Sequence, residues 1–194
     1  GWFGFNAGSA LAADGNAGMA MVVTHISAAT ASLVWMLMDW SRFGKPTLIG
    51  LVTGTIAGLA SITPASGSVG PIGALIIGAS AGIICYLFVN IVKNNFKIDD
   101  SLDVFAVHGV GGLIGIILVA FLVDANIGGA GYADGINAIS QLMIQLKGTF
   151  AVLALSVVAT IVITYVVKLT VGLRVDDSSE VEGLDISSHG ETNG

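Results

Sequence analysis

The chain has 194 residues, 54% hydrophobic and 10% charged, with a mean hydropathy of +0.89. Water-soluble domains carry about 25% charged residues, so this composition excludes an ordinary soluble globule and indicates a polytopic helical membrane protein. A formal charge of -6, held mainly by loops and by the residues after Arg174, excludes nucleic-acid binding, and the single Cys85 excludes an intrachain disulfide.

Trp2-Phe3-Gly4-Phe5-Asn6-Ala7-Gly8-Ser9-Ala10 reads as the end of a helix on the outer side. Its aromatics suit packing or an interfacial belt, and Asn6 and Ser9 suit hydrogen bonds between helices. Five apolar runs follow, at about 17–38, 47–62, 72–92, 104–123 and 139–171. Pro46 is expected in the first turn of the second run, where a missing N–H costs nothing, and Pro64 with the Gly/Ser-rich segment 65–70 closes it. Of the seven Lys and Arg residues, Arg42, Lys45, Lys93, Lys97, Lys168 and Arg174 follow alternate spans, and Lys147 is the exception. The positive-inside bias makes those ends cytoplasmic and puts 11–16, the Pro64 loop and 124–137 outside. Trp35 and Trp40 are expected in the cytoplasmic aromatic belt, and Cys85 is read as core filler. The transmembrane domain is predicted over 1–172, with a cytoplasmic tail over 173–194 too polar to fold alone.

Two imidazoles fall at membrane depth, where an ionisable group is a functional-site hypothesis. His25 has Thr24 and Ser27 beside it as ordinary partners. His108 sits in Asp99-Asp100-Ser101-Leu102-Asp103-Val104-Phe105-Ala106-Val107-His108-Gly109-Val110-Gly111-Gly112, ahead of a run, 112–123, with no charge. Asp100, with Asp103 three residues on, is expected to cap this helix, with Lys97 beside the carboxylates. At 3.6 residues per turn, Gly111, Gly112 and Gly115 share a face with His108. Two readings stay open: the glycines admit a neighbouring helix, or they leave room for something small to pass the imidazole. No nucleophile-base pair, metal-ligand spacing, phosphate loop or dinucleotide fingerprint occurs, so neither an enzyme nor a cofactor is expected.

Gly-Phe-Asn-Ala-Gly-Ser at 4–9, Gly-Lys-Pro at 44–46, Ile-Thr-Pro-Ala at 62–65, Asp-Asp-Ser-Leu-Asp-Val-Phe at 99–105, His-Gly-Val-Gly-Gly at 108–112, Gly-Leu-Arg-Val at 172–175, Glu-Gly-Leu-Asp at 182–185 and Ser-His-Gly-Glu at 188–191 recur in this order. From Trp2 to Glu191 the chain resembles the ammonium transporter (Amt) family. The resemblance implies an all-α fold of eleven transmembrane helices, here the end of helix 6 through helix 11, in a plasma-membrane homotrimer with a cytoplasmic C-terminus. It implies that His108 is the second of a twin-histidine pair lining the pore, that Phe5 is the second of two gating phenylalanines, and that Ser9 recruits ammonium outside the gate. Asn6, Asp100, Asp103 and Gly112 become structural residues near the pore. Gly183, Asp185, Ser187, His189 and Gly190 become a regulatory tail open to a PII-type signalling protein, with Ser187 where some members carry a phosphorylatable threonine.

Family members are roughly twice this length and built as inverted repeats with the site between them. The chain is therefore expected to be a fragment lacking the first repeat, including the first histidine and the first phenylalanine, and not to conduct by itself. His25 lies in a different helix from the missing histidine. Ala106 stands where the family usually has glycine. An ammonium sensor or PII-binding module without conduction is the alternative function, and a Rh-type gas channel is disfavoured by Ser9 and the tail motifs.

Overall fold

The computed structural model describes residues 1–192, which are helical with no strand among them. In chain order they form α1 (Trp2–Gly8), α2 (Gly15–Phe43), α3 (Leu48–Ile62), α4 (Pro71–Asn90), α5 (Val110–Leu122), α6 (Ala138–Thr170), α7 (Asp177–Glu182) and α8 (Leu184–His189). Wider π-helical turns extend α4 through Ile91–Asn95 and precede α5 over Val104–Gly109. Four of these helices are long and apolar enough to cross a bilayer, and α3 is a shorter apolar helix. The expected all-α membrane fold is therefore present, with each predicted span within a few residues of its helix.

The described residues fall into two compact units that divide between Leu146 and Lys147. In the first, helix ends follow from local chemistry. Asp14 caps α2 by accepting from the Asn16 and Ala17 amides at 3.0 and 3.2 Å, and left-handed Gly44 (φ 74°) ends it. Thr47, not Pro46, starts α3: its hydroxyl accepts from the Gly50 amide at 2.9 Å and donates to buried Asp39 at 2.7 Å. Pro46 precedes the cap, so Pro71, at the start of α4, is the proline that uses the free first turn.

Helices α2, α3, α4 and α5 approach closely because small residues line their contacts, as expected where lipid offers no hydrophobic drive. A β-carbon at Gly58 would lie 2.8 Å from Ala28 Cα, and one at Gly78 would lie 3.0 Å from Ser27 Cα. Ser27 fills the same seam and donates to the Gly58 carbonyl at 2.9 Å. Trp35 is buried edge-on against Tyr86, with centroids 5.2 Å apart, so it is a core residue and not a belt residue. Trp40 is exposed, and Cys85 is fully buried among apolar neighbours, as a core thiol.

Arg42 and Lys93, which follow the first and third spans, come together. Arg42, Lys93 and Asp103 line one pocket of about 320 Å³ at one end of the bundle. Joining the opposite loops, the Ala130 amide donates to the Ser68 carbonyl at 2.9 Å, and Gly70 lies against Gly128.

The second unit holds most of α6 and the tail. Helix α6 has no buried residue along its 33 positions. The tail is not structureless: Asp176 caps α7 by accepting from the Ser179 amide at 2.9 Å, Gly183 (φ 96°) turns the chain into α8, and Gly190 (φ 65°) ends α8. Capping thus satisfies the ends of two six-residue helices, each too short to be stable in isolation. Hydrogen bonds from the Ser178 hydroxyl, the Ser179 amide and the Ser179 hydroxyl hold the Asp176 carboxyl down at about 2. Its ionised form is the one the fold favours, so this capping is complete above the ordinary carboxylate range, near 4, and is lost as pH falls through about 2. NMR titration should follow the Ser179 amide through that window, and a midpoint near 4 would contradict the cap.

Candidate functional site

Helix α1 is fastened to the bundle at two points. Buried Asn6 donates from Nδ2 to Thr24 Oγ1 at 3.0 Å, and Thr24 in turn donates to the Ala20 carbonyl. Trp2 Nε1 donates to Thr63 Oγ1 at 2.8 Å, tying the start of α1 to the end of α3. Thus clamped, α1 presents Phe5 with 63% of its surface exposed. Ser9 lies one turn on, its hydroxyl donating back to the Phe5 carbonyl at 2.8 Å.

His108 reaches the same row of rings. Its imidazole lies nearly parallel to the Trp2 indole, 15° between planes and 6.1 Å between centroids. Trp2 meets Phe5 edge-on at 6.4 Å. Trp2 therefore stands between the two residues singled out from the sequence, and the sequence reading passed over it. A signal was present: Trp2, Phe5 and Ser9 recur at offsets of three and seven, which places them on one helical face.

His108 itself is exposed, and it lines a groove of about 550 Å³ with apolar Val92, Ile98, Val104 and Phe105 and with Asp99 and Asp100. Asp100 controls the start of this segment. Its carboxylate accepts from the amides of Val104 at 2.7 Å, Phe105 at 2.9 Å and Ala106 at 3.4 Å, which are among the donors a helix start leaves unpaired. Asp103 does not repeat the capping. It adopts a left-handed backbone (φ 55°) and pairs with Lys93 at 2.8 Å, so Lys93 takes the place expected for Lys97. Asp99 accepts from the Ser101 hydroxyl at 2.9 Å.

The glycine face divides. Because Val104–Gly109 is wound as a π-helix, α-helical offsets do not carry across it. Gly111 and Gly115 are buried against α3: a β-carbon at Gly111 would lie 2.9 Å from Ser61 Oγ, and one at Gly115 would overlap the Ser61 carbonyl and approach Pro64 Cγ to 2.7 Å. Gly112 meets nothing within 4 Å. The packing reading thus holds for Gly111 and Gly115, while Gly112 packs against no neighbour.

His25 lies elsewhere, exposed on α2 with its ring 5.8 Å from that of Phe3. Thr24 and Ser27 bond to Ala20 and Gly58 carbonyls, so neither is the partner the sequence offered for His25. Among the tail residues, Ser187 Oγ donates to the Gly183 carbonyl at 2.9 Å, and the Glu191 amide donates to the Asp185 carbonyl at 2.8 Å. His189 occupies the last turn of α8, ahead of Gly190. Among the described residues, no group of three or more His, Cys, Asp or Glu side chains is arranged to hold a metal ion.

Four helices long and apolar enough to cross a bilayer make this a polytopic helical membrane protein, and an imidazole among them marks a candidate functional site. A model of the Ammonium Transporter Family matches residues 1–194, and the chain belongs to that family. It is 47% identical over 192 residues to an ammonium transporter of Aquifex aeolicus, covering 98% of this chain and 45% of that protein. Ammonium transporter Amt1 of Archaeoglobus fulgidus is 46% identical over 192 residues, with 98% and 48% covered. Among solved structures, one titled Sensor Amt Protein superposes with a TM-score of 0.86 at 31% identity, over 96% of this chain and 45% of that one. Mep2 of Saccharomyces cerevisiae gives 0.77 at 37% identity, with 88% and 42% covered. The chain spans about half the length of the curated relatives it matches.

Proposed function

We propose that this chain forms one side of an ammonium pathway, with His108 as the residue past which ammonia moves. The observation that supports this most is the row of rings Phe5, Trp2 and His108, which ends where His108 lines a largely apolar groove with Asp99 and Asp100 at its edge. Such a wall imposes a large desolvation cost on NH₄⁺, K⁺ or Na⁺ and a much smaller one on NH₃, so selection operates through deprotonation at the entrance. Ser9 and Phe5 form that entrance, where a hydroxyl oxygen and an aromatic face both favour a cation. An imidazole nitrogen that bears a proton donates and one that does not accepts, so His108 can hold NH₃ in line by hydrogen bonds once the proton lost at the entrance has passed to water outside.

In this reading Asn6, Asp100, Asp103 and Gly112 shape the wall around His108. The protein is a multi-pass plasma-membrane protein, a homotrimer when assembled, with the ends bearing Arg42, Lys93 and Arg174 in the cytoplasm. The tail around Gly183, Asp185, Ser187, His189 and Gly190 faces PII-type proteins.

The test is methylammonium uptake by cells lacking other ammonium transporters. These 194 residues expressed alone give background uptake, because the groove beside His108 is open. Joined to the N-terminal half of the Aquifex aeolicus relative they give saturable uptake, which His108→Ala returns to background. Undiminished uptake by the His108→Ala chimera would sink the pathway role. The neighbour titled Sensor Amt Protein supports a second reading, ammonium binding without conduction. Saturable binding without uptake in the chimera would favour it.

A further inference from the structure

We infer that Trp2, locked by Thr63, is a positioning residue that fixes the ring plane of His108. Three observations support it. The first is the near-parallel pairing of indole and imidazole, 15° between planes. Face-to-face offset packing restricts rotation of an imidazole about its Cβ–Cγ bond. It also leaves the ring edge uncovered by the indole, because an imidazole's N–H and lone pair lie in the ring plane.

The second concerns the indole itself, which can only donate a hydrogen bond and finds one acceptor, Thr63 Oγ1, at 2.8 Å. The third is that Thr63 is committed in turn: its hydroxyl donates to the Leu59 carbonyl at 2.7 Å, which fixes the hydroxyl rotor and turns a lone pair toward Trp2. The order is thus Leu59 carbonyl, Thr63 hydroxyl, Trp2 indole, His108 imidazole. Each link sets the orientation of the next, across α3, α1 and the π-helical segment.

Phe5 does not substitute for this lock. It meets Trp2 at 70°, edge-on, and so limits the indole from the side without defining its plane. Nor does Asp100, which bonds only backbone amides before His108. The imidazole plane is therefore governed from α1.

This inference rests on His108 being a pathway residue for its importance, but its test needs no transport. The chain is labelled on its histidine rings and placed in lipid nanodiscs, and the His108 ring protons are assigned by their loss in His108→Gln. Stacking on indole displaces them upfield from those of His189, which packs on no aromatic ring among the described residues. Trp2→Leu should remove that displacement. Thr63→Val, which keeps shape but offers no acceptor, should reduce it and broaden the signals, and Thr63→Ser should restore the native spectrum.

If Trp2 merely fills space, Thr63→Val leaves the His108 signals where they were, and the positioning role is overturned. Signals unmoved by Trp2→Leu overturn it as well. Should Trp2→Leu fail to fold, the Thr63 pair still decides. Failure of uptake in the chimera leaves this ring geometry standing, and loss of the ring geometry leaves the uptake result standing.

Discussion

Gly115→Val is expected to disrupt the bundle, whereas Gly112→Ala, three residues earlier on the same helix, leaves it intact. A β-carbon at Gly115 meets the Ser61 carbonyl and Pro64 at the end of α3, and neither is the yielding tip of a flexible side chain. Overpacking a close-packed interior costs about 1–3 kcal/mol, and a clash with rigid backbone belongs at or above the top of that range. The helix must withdraw, and with it go the contacts of Ile114, Val119 and Leu122, all of which are buried. Thermal unfolding in detergent should show the Gly115→Val midpoint lowered by many degrees, or no folded protein at all. Gly112→Ala should unfold within a degree or two of the parent, since nothing lies within 4 Å of its β-position. Equal effects at the two positions would contradict the division of the glycine face.

Asp100→Ala should release the segment that carries His108. The carboxylate satisfies three successive amides, and a hydrogen bond to a charged group is worth about 1.5–3 kcal/mol. Because the three share one side chain and the ends of helices are partly hydrated, a local loss of about 2–4 kcal/mol is expected. Hydrogen exchange reads it directly: Val104, Phe105 and Ala106 amides should exchange tens to hundreds of times faster, while those of α2 change little. Asp100→Asn, which keeps one acceptor oxygen, should fall between. If all three amides keep their protection in Asp100→Ala, the carboxylate is not what starts this helix. In the chimera, the same substitution should lower uptake without touching any residue of the groove's ring row.

Much of this architecture was legible because membrane helices obey simple bounds. Long charge-free runs and flanking Gly, Pro and Asp residues marked α2 to α6 to within a few positions, and alternating basic ends ordered them. What escaped was whatever depends on winding and on which neighbour arrives. Thr47 starts α3 because Asp39, eight residues back, accepts its hydroxyl, and periodicity carries no trace of that pair. Lys93 replaces Lys97 beside Asp103 because α4 continues into a π-turn that the apolar pattern cannot distinguish from an α-turn. Trp35 looked interfacial by composition but turns inward to Tyr86. In the candidate site, His108 and Phe5 were conspicuous as residue types. Trp2 was not, because its importance lies in a contact made over more than a hundred residues of chain.

The π-helical turn of Val104–Gly109 has a consequence for how this wall can vary. An α-helix advances about 100° per residue, so one extra residue absorbed in a wide turn rotates everything before it by about that angle relative to everything after it. Downstream, α5 keeps Gly111 and Gly115 seated on α3, while upstream Asp100 holds the start of the segment in place. The turn therefore acts as a swivel between two anchored ends, setting the compass bearing of His108 separately from the packing of α5. Deleting one residue within it would leave the hydrophobic seam legible in sequence and the helix continuous, yet aim the imidazole away from the indole.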